Sequence, residues 1–385
     1  MLTDLHGLDV RAASSLHVRF GQKILAAVPA AVASSVYLAP GWIDLQVNGF
    51  AGVDYNSGRT PHEEIARSIE VLFSTGVTRF YPTVITGAPD DMRAALENLA
   101  RAKGALGAGE AMDGFHVEGP HISPDDGPRG AHPRRWVRRP DVEEFRRWQE
   151  AAGGHIRLVT VAPEWPEAPA YIEALSAAGV AVSIGHTNAN SAQIADAVAA
   201  GATMSTHLGN GAHAIVPRHP NYIWDQLAED RLTASFIADG IHLPWSFLKA
   251  ALRAKEVARS VLVTDASTPA CAAPGRYRLG EQELELTADH RVVLAGQDRL
   301  AGSALRMDRA VQNVMRFAGV SLPDAVMMAT TNPARVGRVP DRQHGLMAAD
   351  RADFVQFQFD EPSGDLRVEA TYLSGRCVYR RAVPV

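Results

Sequence analysis

The feature that most constrains the fold of this chain is an alternation of short β-type runs with amphipathic helical runs between residues 41 and 265. Strands that alternate with helices lie parallel in one sheet with the helices outside, and about eight such units close a barrel. We therefore predict an α/β chain built on a (β/α)8 TIM-type barrel. The β-type runs are GWIDLQVNG, VTRFYPTVIT, GFHVEG, IRLVTVAPE, VAVSIGH, TMSTH, LTASFIAD and SVLVTD.

The two ends of the chain have a different pattern. Residues 1–39 contain LHVRF and SSVYLA, and residues 338–385 contain RADFVQFQF and LRVEATYL. Apolar residues at every second position between small polar turns indicate strands. We predict that residues 1–39 and 338–385 pair into a small β-sandwich domain, with the barrel over 40–337. The segment RYRLGEQELELTADHRVVLAG predicts a hairpin inserted at about residues 276–296.

The composition is that of an ordinary globular enzyme. The chain has 385 residues, a net charge of -5 and 46% hydrophobic residues, a balance that does not indicate nucleic acid or an anionic membrane as a partner. Its two cysteines, Cys271 and Cys377, are too far apart for a CxxC site. The first residues lack the pattern of a secretory signal, and no apolar run approaches the roughly 20 residues of a membrane helix. We expect a cytoplasmic protein.

Three of the β-type runs end in a side chain that binds metals. GFHVEG carries Glu118 near its end, VAVSIGH ends at His186, and TMSTH ends at His207. Because the carboxyl ends of barrel strands meet at the face where barrel enzymes hold their chemistry, these side chains are expected to converge. One carboxylate and two imidazoles suit a borderline-soft divalent ion and leave a position open for water or substrate. The sequence therefore predicts a metal site.

A fourth run, SVLVTD, ends at Asp265. A carboxylate beside a metal-activated water can accept its proton and later deliver it to a leaving group, so we predict Asp265 as the general base and acid. A lone acid or histidine at a strand end is more often structural, and Asp265 alone could cap a helix. The hypothesis depends on four such residues occurring together.

An ordered set of motifs across nearly the whole chain resembles the N-acetylglucosamine-6-phosphate deacetylase family of metal-dependent amidohydrolases. The resemblance implies a barrel with a small β domain made from both termini, and hydrolysis of N-acetylglucosamine 6-phosphate to glucosamine 6-phosphate and acetate. The motifs are PGWIDLQVNG, YPTVITG, FHVEGPHI, GAHP, VAPE, SIGHTNA, STHLGNG, IADGIH, LVTDA and LAGSAL.

The resemblance also implies residue roles. Glu118, His186 and His207 would bind the metal, and Asp265 would be the acid and base. His132 would lie near the acetamide carbonyl. The full set of substrate-binding residues that the resemblance implies is Ala131, His132, Asn210, Gly211, Arg218, His242, Leu300, Ala301 and Gly302.

One departure from the wider superfamily concerns the metal count. Many amidohydrolases have His-x-His at the end of the first barrel strand and hold two metals, whereas Gln46 and Asn48 occupy those positions here. An amide is a poor ligand for zinc, so we predict one divalent metal per subunit, zinc first, with iron, manganese and cobalt as alternatives. The resemblance further implies a homodimer in which a neighbour's loop reaches the phosphate.

A second departure concerns the substrate. Tyr222, Ile223 and Trp224 are bulky where the family has small residues, and His213 and His219 are additional imidazoles in the same loop. A reshaped pocket is therefore expected. Two alternatives stay open: an amidohydrolase for a different or unphosphorylated N-acyl sugar or a cyclic amide, and a non-catalytic binding protein on the same scaffold.

Overall fold

A computed structural model describes residues 2–12, 14–32, 34–342 and 344–382. Its central feature is a sheet of eight parallel strands that neighbour one another in chain order. A parallel bridge between Val47 and Ala266 brings the two ends of this sheet together. The predicted (β/α)8 barrel is thus confirmed. The first to eighth barrel strands are Trp42–Val47, Val77–Ile85, Phe115–Glu118, Ile156–Val161, Ala181–Ile184, Met204–Ser205, Thr233–Ile237 and Ser260–Val263.

Helices cover the outside of the barrel, with one α-helix between each pair of consecutive strands. These are His62–Ser74, Pro89–Ala105, Val142–Ala151, Ala168–Ala177, Ser191–Ala199, Tyr222–Ala228 and Trp245–Lys255. After the eighth strand come Met307–Asn313, a π-helical turn Val314–Ala318, Leu322–Ala329 and Thr331–Val336. Short 3₁₀ turns are Gly109–Ala111, Arg134–Trp136 and Val257–Arg259.

The helix Tyr222–Ala228 is not indicated by the sequence pattern. It has only seven residues, too few to show a helical repeat. Its start depends on Asn221, whose side-chain oxygen accepts hydrogen bonds from the backbone N–H groups of Ile223 and Trp224, both at 3.1 Å. Such a cap satisfies donors that the first turn of a helix leaves free.

The two chain ends form one seven-stranded sheet. Phe20 and Tyr372 lie on strands four places apart in that sheet, yet their ring centroids are only 6.0 Å apart. Strands four places apart in a flat sheet would be separated by about 19 Å, so the sheet folds over and packs against itself. The small β domain is confirmed, and its sandwich is one continuous sheet. Its strands are Thr3–Asp9, Ser15–Phe20, Ile24–Pro29, Tyr37–Pro40, Phe354–Asp360, Asp365–Leu373 and Arg376–Arg380.

Two smaller sheets lie between the barrel elements. Gly275–Leu279, Gln282–Leu286 and Val292–Leu294 form a three-stranded antiparallel sheet after the eighth barrel strand, which we call the inserted sheet. Gly49–Phe50 pairs with Val53–Asp54. In the described part of the chain, no helix combines the length and apolar character needed to cross a membrane.

Buried ion pairs join the barrel to the β domain. Arg79 in the second barrel strand and Arg342 both donate to Asp353, with Nε–Oδ2 and Nη1–Oδ2 distances of 2.8 Å each. Arg79 is near the start of its strand, so these ion pairs lie at the opposite end of the barrel from the strand C-termini. We call this end of the barrel, with Arg79, Arg342 and Asp353, the docking end.

Candidate active site

The four side chains predicted from strand ends lie at one end of the barrel. Glu118 is the last residue of the third strand, and His186, His207 and Asp265 each follow the fifth, sixth and eighth strands by two residues. All four are buried. Parallel strands in a closed barrel bring their carboxyl ends to one mouth, which explains why residues so distant in sequence meet.

Glu118, His186 and His207 form a compact set of metal-type ligands. His207 Nε2 lies 2.9 Å and His186 Nε2 lies 3.3 Å from Glu118 Oε1, and the two Nε2 atoms are 3.1 Å apart. His186 Nδ1 lies 2.7 Å from the carbonyl oxygen of Pro128, which can only accept. Nδ1 therefore carries the proton, which leaves the Nε2 lone pair of a neutral ring free to coordinate. This donor set fits a divalent cation.

The backbone is strained where three of these side chains emerge. The φ angles of His186, His207 and Asp265 are 50°, 28° and 49°. Left-handed φ is uncommon for residues other than glycine and costs of order 1–3 kcal/mol each. Strain of this kind concentrates at functional sites, where it aims side chains that an extended strand would direct elsewhere.

Two amides hold Asp265 on one side. Gln46 Nε2 donates to Asp265 Oδ1 at 3.0 Å and to Glu118 Oε1 at 2.9 Å, and Asn48 Nδ2 donates to Asp265 Oδ1 at 2.7 Å. Burial, with the Glu118 charge adding to it, raises the pKa of Asp265 to about 6. A cation bound beside Glu118 would lower this pKa, because a positive charge favours the ionised carboxyl. The pKa of Asp265 therefore depends on whether the site holds a cation.

His132 lies beside the metal-type ligands. Its Nδ1 is 2.8 Å from Thr86 Oγ1, and its Nε2 is 4.0 Å from Glu118 Oε2. Burial, followed by the His186 ring, lowers the pKa of His132 to about 3. The ring is therefore neutral at physiological pH, and its Nε2 can make a hydrogen bond within the site.

A pocket of about 590 Å³ opens at this mouth. Among the predicted residues, it is lined by Glu118, Ala131, His132, His186, His207, Asn210, Gly211, His242, Asp265, Leu300, Ala301 and Gly302. Asp239 Oδ2 lies 2.6 Å from His242 Nδ1 and so orients that ring. Arg218 is exposed and is not part of the lining.

Some pocket residues carry no signal in the sequence. Gln282, Arg291, Asp298 and Arg299 come from the inserted sheet and the loop after it. Arg299 Nη1 donates to the carbonyl oxygen of Gly130 at 3.0 Å, which ties this region to the loop that carries His132. No strand-end pattern marks these residues, because only the return of the inserted sheet over the mouth brings them there.

The bulky residues after His207 differ in their positions. Tyr222 is buried, and its hydroxyl oxygen accepts from the backbone N–H of His213 at 2.8 Å. His213, which no sequence spacing indicated, lies in the pocket wall. Trp224 is 57% exposed. Tyr222 thus supports the pocket loop from behind, whereas Trp224 faces outward.

Comparisons with known proteins identify the family of this chain. The amidohydrolase family matches residues 37–378. N-acetylglucosamine-6-phosphate deacetylase from Bos taurus is 35% identical over 356 residues, covering 89% of this chain and 83% of the relative. The Bacillus subtilis (strain 168) protein of the same name is 35% identical over 328 residues, covering 84% and 81%.

A solved structure gives the same result for the fold. A mutant N-acetyl-D-glucosamine-6-phosphate deacetylase from Mycobacterium smegmatis, in complex with N-acetyl-D-glucosamine-6-phosphate, matches with a TM-score of 0.85 and 30% identity over 94% of each chain. The family match, the sequence identity to the relatives and the shared fold point to one assignment. This chain belongs to the amidohydrolase family, and within it to the N-acetylglucosamine-6-phosphate deacetylases.

Proposed function

We propose that this protein hydrolyses the acetamide of N-acetylglucosamine 6-phosphate to acetate and glucosamine 6-phosphate. The observation that carries the proposal is that the ligand atoms of Glu118, His186 and His207 lie within 4.8 Å of one another, with Asp265 in the wall of the same pocket. The pocket volume of about 590 Å³ is in the range of small-molecule sites. The relatives named for this reaction, and the neighbour that binds this sugar phosphate, support the substrate.

Amidohydrolases are metal-dependent, and Glu118, His186 and His207 would hold the cation. When bound there, a divalent metal supplies a Lewis acid that polarises the amide carbonyl and lowers the pKa of a water molecule. We propose one ion, because Gln46 and Asn48 at the end of the first barrel strand supply amides, which are poor zinc ligands compared with imidazole. Zinc suits three protein ligands of nitrogen and oxygen type, with iron, manganese or cobalt as alternatives.

Asp265 performs the proton transfers in this proposal. Its Oδ1 is held by Gln46 and Asn48, which leaves Oδ2 for the reacting groups. The carboxylate takes a proton from the attacking water as the new C–O bond forms. It then delivers that proton to the nitrogen, so that the C–N bond breaks and a neutral amine leaves.

His132 stabilises the charge that develops on the carbonyl oxygen. Its neutral ring can do this only if Nε2 carries the proton, which requires the Thr86 hydroxyl to donate to Nδ1. The 2.8 Å contact between Thr86 Oγ1 and His132 Nδ1 allows this arrangement. A donor fixed before the reaction stabilises the oxyanion without reorganisation.

The phosphate would lie at the other side of the pocket, near His242, Asn210 and Gly211. Arg218 and Ile215 are exposed on the loop that follows, Ile215 to 89%. We propose a homodimer in which Arg218 reaches the phosphate in its neighbour's pocket. We also propose a cytoplasmic location, because membranes retain charged sugar phosphates inside the cell.

The test is a substrate panel. Purified protein loaded with zinc is assayed for acetate release from N-acetylglucosamine 6-phosphate, from unphosphorylated N-acetylglucosamine and other N-acyl sugars, and for ring opening of a cyclic amide. We expect the 6-phosphate to give the highest kcat/KM. If another compound gives the highest kcat/KM, that compound replaces N-acetylglucosamine 6-phosphate as the proposed substrate. If none of the compounds is hydrolysed, the result favours a binding protein.

A further inference from the structure

A second cavity, of about 500 Å³, adjoins the active-site pocket at the barrel mouth. We call it the rear cavity; it lies between the inserted sheet and the loop after the second barrel strand, from which Thr86 and Ala88 enter its wall. Three residues, Ile85, Leu279 and Gln282, lie in the walls of both cavities. These residues therefore form the boundary between the rear cavity and the pocket that holds the metal-type ligands.

The part of this boundary made by Ile85 and Leu279 is apolar. Leu279 belongs to a buried apolar cluster of the inserted sheet that also includes Ala301, and the half-buried Ile85 and Ala131 pack against this cluster. Ala131 and Ala301 line the active-site pocket but not the rear cavity. An apolar patch therefore continues from the boundary into the wall of the active-site pocket.

The acetyl methyl is the part of the proposed substrate that suits this patch. In the proposed reaction His132 binds the carbonyl oxygen, and the methyl is attached to the same carbonyl carbon. The patch adjoins His132, because Ala131 precedes it in the chain and because Thr86, whose Oγ1 lies 2.8 Å from His132 Nδ1, lines the rear cavity. The hydroxyl and phosphate groups of the sugar would lose hydrogen bonds to water against an apolar wall. The methyl is therefore expected to face Ile85 and Leu279.

We propose that Ile85, together with Leu279, limits the length of the acyl group that the enzyme hydrolyses, by closing the active-site pocket beyond the acetyl methyl. This inference rests on the proposed function and gives it an acyl specificity. An acetyl group ends at the boundary, whereas a longer chain has to enter space that the Ile85 side chain fills. Forcing extra methylenes into a packed wall is unfavourable, so the wild type discriminates against longer chains. A shorter side chain at position 85 would let such a chain continue into the rear cavity.

The experiment measures kcat/KM for N-acetyl- and N-hexanoylglucosamine 6-phosphate in the wild type and two variants. In the wild type, the value for the hexanoyl compound should be roughly 100-fold below that for the acetyl compound. Ile85→Ala should raise the hexanoyl-to-acetyl ratio roughly tenfold or more, because it connects the two cavities. Leu294→Ala is the matched control: Leu294 is half-buried and packs against the same apolar cluster, but it lines neither cavity. Its ratio should equal that of the wild type.

Other results would overturn the inference. Equal kcat/KM for both compounds in the wild type, or an unchanged ratio in Ile85→Ala, would mean that Ile85 sets no limit on the acyl chain. An equal rise in Leu294→Ala would assign the effect to loosening of the inserted sheet. Acetate release with any of these results removes the inference alone, whereas a wild type that hydrolyses neither compound removes the proposed function as well. Should Ile85→Ala fail to fold, Ile85→Val with the N-propanoyl compound replaces it, because loss of one methylene should admit one more.

Discussion

The two ends of the barrel shift the pKa of a buried aspartate in opposite directions. At the docking end, burial alone would raise the pKa of Asp353, but Arg79 and Arg342 hold it at about 2. At the mouth, burial and the Glu118 carboxylate raise the pKa of Asp265 to about 6. One buried aspartate is paired with opposite charges, and the other is placed near a like charge.

The difference shows which end stabilises the fold and which serves the chemistry. A carboxyl whose folded pKa is depressed contributes stability above its unfolded pKa, and one whose folded pKa is raised costs stability there. Left-handed backbone at His186, His207 and Asp265 adds to the cost at the mouth. We expect substitutions at the mouth to change catalysis, and those at the docking end to change stability.

The largest expected effect is loss of the metal. Glu118→Ala removes the only carboxylate of the ligand set, so the protein should lose bound metal and measurable turnover. Elemental analysis and acetate release check this. Glu143→Ala, at an exposed position on the helix Val142–Ala151, is the control and should keep both. Unchanged metal content in Glu118→Ala would contradict the site.

Replacing the acid and base is the next largest change. Asp265→Asn should keep the metal and lower kcat by about 100- to 10,000-fold, the usual contribution of a general acid and base. Kinetics on protein of known metal content measure this. Near-normal turnover would refute the assignment of Asp265.

At the docking end the effect should fall on stability. Asp353→Asn removes the nearest carboxylate partner of Arg79 and the one ion-pair partner that Arg342 has among the described residues, and loss of one member of a buried pair costs about 3–5 kcal/mol. Denaturant unfolding measures the free energy, and kcat of the folded protein should stay unchanged. Asp341→Asn, which removes a surface pair with Lys23, should cost about 1 kcal/mol or less. A lower kcat in folded Asp353→Asn would contradict the conclusion that the docking end affects stability and not catalysis.

The pH dependence of stability should have opposite signs at the two ends. In metal-free protein, the raised pKa of Asp265 costs stability that grows as pH rises from about 4 to 6. Asp265→Asn should therefore be more stable than wild type by about 2–3 kcal/mol at pH 7, a difference that disappears below about pH 4. The depressed pKa of Asp353 contributes stability that is lost as pH falls from about 4 through 2. Unfolding at several pH values tests both; a pH-independent difference for Asp265→Asn would contradict the first.

The smallest expected effect concerns phosphate binding. Arg218→Ala should raise KM about tenfold for the 6-phosphate and little for the unphosphorylated sugar, because one charged hydrogen bond is lost. Mixing Arg218→Ala with Asp265→Asn protomers should restore activity if Arg218 acts across a dimer, since one pocket of each hybrid is then complete. No recovery in confirmed hybrids would place Arg218 in its own subunit or outside the site.

The sequence by itself determined the barrel and the residues at its strand ends. Strand and helix periods are local properties, and a parallel barrel brings all strand C-termini to one face. Glu118, His186, His207 and Asp265 could therefore be grouped without coordinates. The helix Tyr222–Ala228 could not, because seven residues capped by Asn221 leave no periodic pattern.

Only the tertiary structure decided the contacts between distant parts of the chain. It folded one terminal sheet over itself, brought the inserted sheet to the pocket mouth, and left Arg218 outside the pocket lining. It also paired Asn48 with Asp265 across a separation of 217 residues. Such contacts arise from closure of the whole barrel, and no local pattern of apolar and polar residues encodes which side chains then meet.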